Sequence, residues 1–236
     1  MTAPLRSEQT ETGSSDELTA MQERIQREFR AFVQRPDFPC LGAKSVIRVN
    51  TYRLQVYGAL GTGGHSDALR ADVAEFGTDF GDQGLSAFVA AFPFFAPRSE
   101  VAFERRLWAE LQMLHDADPE RGEVAENTSG DPDDPSFSFS VGGRAFFIVG
   151  LHSYASRMAR RFSHPVLVFN PHEHFTRLRT EGKFEGLRTA IRARDIALQG
   201  NVNPNLADFG TDSEARQYSG RKTEPSWECP FHREHP

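Results

Sequence analysis

The run Ala145-Phe146-Phe147-Ile148-Val149-Gly150-Leu151 constrains this chain more than any other stretch. It is an unbroken apolar segment of strand length, well short of the roughly 18 apolar residues needed to span a bilayer. Just upstream, Phe137 to Val141 alternates and Gly142-Gly143 supplies a turn, so the two runs predict a β-hairpin. Just downstream, His152 ends the strand, and Arg157, Arg160 and Arg161 follow within ten residues. A histidine in that place is either a ligand for something large and anionic or a polar residue where a strand meets water.

The rest of the chain gives the hairpin its surroundings. Ser14 and Glu17 form a capping pair, and Leu18, Met21, Ile25, Phe29 and Phe32 recur at helical spacing until Arg35-Pro36 ends the helix. Ser45 to Tyr57 reads as a half-buried strand through the alternation of Tyr52, Leu54 and Val56. Residues 66–77 read as a helix, and Leu85 to Phe95 as a buried strand. Ser99 caps a helix carrying Phe103, Leu107, Leu111 and Leu114 on one face. The acidic segment Asp116 to Ser136 cannot form a core; a loop of that length is a functional lid or disordered. A strand is expected at Pro165 to Phe169. Asn170-Pro171-His172-Glu173 reads as a helix start with Asn170 as N-cap, and two helices run from there to about Gln199, closed by Gly200. Residues 201–236 are irregular, with one turn around Glu214 to Tyr218. The pattern predicts an α/β (α+β) fold in one domain over 15–236, following a flexible tail at 1–14. A mixed central sheet is flanked by helices, and a long irregular segment ends the chain.

Bulk properties narrow the function. Apolar residues make up 38% of the chain, with 20 Phe, which supports an aromatic-rich core. A formal charge of −6 argues against general nucleic-acid binding, which needs a cationic footprint, and mildly favours a cationic small molecule. Cys40 and Cys229 are too few for a disulfide framework and have no zinc spacing, so two reduced thiols in a cytoplasmic protein are expected. The first 20 residues contain no apolar signal region, and no membrane association is expected.

Several motifs fall away on their chemistry. Gly58 to Asp67 lies between a strand and a helix, but it lacks both the P-loop lysine and the dinucleotide glycine spacing, so it reads as a turn. His172 and His174 are two apart on a helix and cannot hold one ion together. No G-x-S-x-G elbow supports a serine nucleophile. Three ligands for iron or another soft centre survive: His152, Cys40 and Cys229. Arg157, Arg160 and Arg161 are a solvated basic face, or guanidinium groups that pair with two carboxylates.

The blocks FPCLGAKS (38–45), GLHSYASRMARRF (150–162), LVFNPHEHFTRLR (167–179), IRARD (191–195), DFGTDSEARQYSGR (208–221) and WECPF (227–231) together resemble the YqcI/YcgG family. Characterised members of that family are haem-dependent N-hydroxylases acting on arginine or related guanidino compounds in natural-product biosynthesis. The resemblance implies a haem b monooxygenase that transfers one oxygen atom to a terminal guanidine nitrogen, using oxygen or peroxide and an electron donor the sequence does not name. It makes His152 the first choice of axial ligand, with Cys40 and then His172 as alternatives. It makes Arg157, Arg160 and Arg161 the expected propionate contacts.

A guanidinium inside such a pocket needs a carboxylate, because an unpaired buried charge is prohibitive. Glu173, Asp212 and Glu214 are the carboxylates weighed for substrate binding and catalysis, and Arg216 or Arg221 could hold a substrate carboxylate. Two other readings stand beside the enzyme. One is a haem sensor or carrier without guanidine turnover, and the other is a protein binding a phosphate-containing metabolite with no haem.

Overall fold

The computed structural model describes residues 15–80, 84–121, 123–205 and 210–233. In it the hairpin forms as the sequence predicts: β3 (Phe139–Val141) and β4 (Arg144–Leu151) pair antiparallel, with Phe139 opposite Phe146. Gly142 and Gly143 turn the chain at φ of 56° and 67°, a region that costs glycine nothing and other residues steric strain.

The hairpin is one edge of a five-stranded mixed sheet in the order β1-β2-β5-β4-β3. β5 (Val166–Pro171) lies antiparallel to both β4 and β2 (Ala87–Ala91). β1 (Tyr52–Val56) runs parallel to β2. A parallel neighbour needs a crossover, and α3 (Ser66–Phe80) lies in that connection.

Helices lie against both faces of the sheet, which explains why its central strands are apolar without a break. Phe146, Ile148, Leu167 and Phe169 face α3 and α4 (Glu100–Asp116), and Ser99 caps α4 by accepting from the Ala102 amide at 3.1 Å. Val89, Leu151, Val166 and Val168 face α1 (Ser15–Gln34) and α2 (Leu41–Val49), meeting Ile25, Phe29, Val46 and Ile47. Two further helices, α5 (His172–Thr180) and α6 (Phe184–Gln199), follow β5, and a single turn, α7 (Ala215–Tyr218), lies near the chain end. Gly200 closes α6 in the left-handed conformation, as expected.

The structure departs from the sequence reading in two places. Only Tyr52 onward is strand; Leu41–Val49 is helix α2, capped by the Cys40 thiol and closed by Asn50 at φ 58°. Its β-branched residues are carried by packing, since Val46 and Ile47 are buried against α1, and packing outweighs a small propensity deficit. Asn170 is not a cap: it belongs to β5, and its amide donates to the Phe147 and Val168 carbonyls at 3.0 and 3.3 Å. The basic segment after His152 forms the 3-10 turn Met158–Arg160. The Ser14 cap lies outside the described residues. Among the described residues, no helix is long and apolar enough to cross a membrane.

Candidate functional site

On the α1/α2 side of the sheet the helices do not close over the strands. Between α2, the sheet and the α5–α6 pair lies a cavity of two adjoining lobes, about 290 and 320 Å³. Phe29, Phe38, Val46, Val89, Leu151 and Val168 wall the first. Phe147, Phe175, Phe184 and Leu187 wall the second, with His172, Glu214 and Gln217 as polar groups. Cys40, Val149, Arg160, Asn170, Ile191 and Arg192 belong to both.

Helix α6 explains why the space stays open. It has no buried residue; Leu187 and Ile191, four apart on one face, line the cavity instead of a core. Polar contacts hold it in place. Asp195 pairs with the buried Arg157, Arg194 donates to the Phe38 carbonyl at 3.0 Å, and Gln199 donates to Ser156 O at 3.3 Å.

Two side chains where the lobes meet have chemistry beyond packing. The Cys40 sulfur caps α2 and accepts from the Ala43 amide at 3.4 Å. Burial pushes its thiol pKa up, while the Ala43 and Gly42 amides and the Arg160 charge pull the other way. A cysteine at a helix N-terminus, with amide donors and a cation nearby, is equipped to be a thiolate once a soft metal takes its proton's place. Arg160 donates to the carbonyls of Gly150 (3.1 Å), Tyr218 (3.3 Å) and Gln217 (3.2 Å), and it pairs with no carboxylate among the described residues. Burial pulls its guanidinium down to about 10, with Cys40 and Asp195 acting against the fall. A half-buried cation satisfied by carbonyls alone is a fixed positive charge facing the cavity.

Of the candidate ligand, propionate and substrate residues, Cys40, Arg160, His172 and Glu214 line this cavity, and His152, Arg157, Arg161, Glu173, Asp212, Arg216, Arg221 and Cys229 do not. His152 sits on the opposite side of the sheet. Its ring is fully buried and stacks on Phe103 of α4 with centroids 4.1 Å apart, and neither ring nitrogen has a hydrogen-bond partner among the described residues. Burial draws its pKa down to about 4. Arg157 is committed to Asp195 and Asn201, and Arg161 to the carbonyls of Ala155 and Ser156, so both hold the loop together. Glu173 pairs at 3.3 Å with Arg144 near the surface.

Asp212 and Arg216 face each other at 3.7 Å, and Arg216 stacks over Trp227 and donates to its carbonyl at 3.0 Å. Arg221 is held between Glu104 and Glu224. Cys229 packs against the α3/α4 core, and burial pushes its thiol up to about 12. No described residue of the acidic segment 117–136 lines either lobe.

His174, weighed beside His172 in the sequence, lines the first lobe, and sequence reasoning overlooked Arg179, Arg188 and Arg192, which also line the lobes. The signal for two of them was present: Leu187/Ile191 and Arg188/Arg192 are adjacent i,i+4 pairs, a helical stripe half apolar and half cationic.

The sequence profile of the YqcI/YcgG family matches residues 29–232. The chain belongs to that family. The match contains both lobes, whose walls run from Phe29 to Gln217, so the cavity lies wholly within the family's shared region. No curated protein and no solved structure matches the chain.

Proposed function

We propose that the protein is a haem-dependent N-hydroxylase acting on the guanidino group of arginine or a related compound, with haem and substrate sharing the two-lobed cavity. The observation that carries this reading is the junction of the lobes, where a thiol and a half-buried guanidinium that meets only carbonyls among the described residues open into a space walled largely by aromatic and aliphatic side chains. The lobes have the size of small-molecule sites, which run to about 300–1,000 Å³. An apolar macrocycle with two carboxylates and a soft metal finds complementary groups in such a space.

Cys40 would hold the haem iron, in place of His152, which stacks behind the sheet on Phe103. Arg160 and Arg192, common to both lobes, are the cations for the propionates. Bound haem supplies oxygen activation and the delivery of one oxygen atom, and a thiolate ligand favours O–O cleavage. The chain's own residues do the rest. Phe29, Phe38, Val46 and Val89 exclude water from the first lobe, and Glu214 provides the negative charge that a buried guanidinium requires.

The test is turnover. Haem-loaded protein supplied with L-arginine and either peroxide or dioxygen plus a reductant is expected to yield a product carrying one additional oxygen on a guanidino nitrogen, read by mass spectrometry. Haem-loaded protein that leaves arginine and its guanidino relatives unchanged would sink the proposal.

A further inference from the structure

The second lobe has one feature that packing does not require, a buried carboxylate whose two oxygens are treated differently. Glu214 Oε1 accepts from Tyr218 OH at 2.6 Å and from Ser138 Oγ at 3.0 Å. Oε2 accepts no hydrogen bond from a described residue and lies 3.7 Å from His172 Nε2, beyond hydrogen-bond reach. The two hydroxyls are themselves fixed. Ser138 is buried beside β3, and Tyr218 is fully buried, its ring 5.7 Å from that of Phe147, its oxygen also 3.2 Å from the Phe139 amide. The carboxylate is therefore aimed: one oxygen is locked in the core, and the other is available to the lobe that Glu214 lines.

The rim of the same lobe carries two guanidinium groups. Arg179, from α5, and Arg188, from α6, flank the Phe184 ring, their guanidinium carbons 4.5 and 6.0 Å from its centroid. Arg188 also pairs with Glu185. Between rim and floor the walls are Phe147, Phe175, Leu187 and Ile191.

We propose that this lobe binds a guanidino acid end to end, with the guanidinium on Glu214 Oε2, the carboxylate at Arg179 and Arg188, and Ser138 and Tyr218 as the positioning residues that aim Glu214. The proposal rests on the guanidino-substrate reading and is independent of haem. It assigns a polarity that the activity alone does not: the ligand carries an anion at the end remote from its guanidinium. Decarboxylated amines of the same length, and guanidinium alone, lose half of the recognition.

Calorimetric titration of the full chain, as purified, with L-arginine, its decarboxylated amine agmatine and guanidinium chloride tests this. L-arginine is expected to bind at least about tenfold more tightly than either of the others. Glu214→Gln is expected to weaken arginine binding by about ten- to a hundredfold. Tyr218→Phe and Ser138→Ala, with unchanged circular dichroism, are expected to weaken it by several-fold, and Arg188→Gln to abolish the preference for arginine over agmatine. Arginine binding that is absent, or unaffected by Glu214→Gln, overturns the proposal, as does agmatine binding as tightly as arginine. A protein that stays colourless when its cells are supplied with haem precursor, yet binds arginine through Glu214, removes the haem reading and leaves this one standing. A haem-loaded protein indifferent to Glu214→Gln does the reverse.

Discussion

His152 offers the sharpest consequence of the fold. Its imidazole is fully buried against Phe103 with neither nitrogen paired among the described residues, and burial lowers its pKa to about 4, Arg160 adding to the fall and Glu100 opposing it. In the unfolded chain the same ring titrates near its ordinary value of about 6.5. Between those two pH values the unfolded state holds the extra proton, so stability drops as pH falls through the window and levels off below it. A gap of about 2.5 pH units at about 1.4 kcal/mol each corresponds to about 3 kcal/mol.

Urea denaturation of wild type and His152→Phe at a series of pH values isolates the effect, because titrations shared by both proteins cancel in the difference. His152→Phe is expected to gain about 3 kcal/mol on wild type between pH 7 and pH 4, with the change concentrated below pH 6.5. A difference that does not vary with pH would refute the claim that the ring is buried and neutral.

Three further outcomes follow from packing and pairing. A Cβ added at Gly150 would stand 2.6 Å from Phe103 Cε1 and 2.9 Å from the Tyr218 carbonyl, so Gly150→Ala should cost about 2 kcal/mol in a urea melt and disturb the α7 turn that carries Glu214. Asp195→Ala strands the buried Arg157 and removes an anchor of α6; a loss of about 2–3 kcal/mol is expected, read as a lower melting temperature. Asp212 faces Arg216 on the surface and lines neither lobe, so Asp212→Asn should leave arginine affinity within about twofold of wild type, measured in the same titration that reports on Glu214.

Most of the sheet was legible because its signals are local. The apolar run at 145–151, the Gly142-Gly143 turn and the Ser99 and Gly200 boundaries each follow from a few neighbouring residues. Helix α2 was not legible, since Val46, Ile47 and Val49 favour strand by shape and only α1, distant in sequence, makes helix the better packing. The site was half legible. FPC and TDSEARQYSGR drew attention to Cys40 and Glu214, but the side of the sheet a residue faces is a tertiary fact. His152 ranked ahead of Cys40 in sequence, and the structure puts the first behind the sheet on Phe103 and the second at the wall of the cavity. Arg157 and Arg161 looked like anion contacts because their partners, Asp195 and the carbonyls of a tight loop, come together only on folding.

The central claim is that the cavity behind Cys40 holds haem through that sulfur. The most direct test is the absorption spectrum of protein purified from cells supplied with haem precursor, for wild type, Cys40→Ser and His152→Phe. The account predicts a Soret band in wild type that persists in His152→Phe and is lost or strongly shifted in Cys40→Ser. A band lost in His152→Phe and intact in Cys40→Ser would return the ligand to the histidine, and a colourless wild type would contradict the haem account altogether.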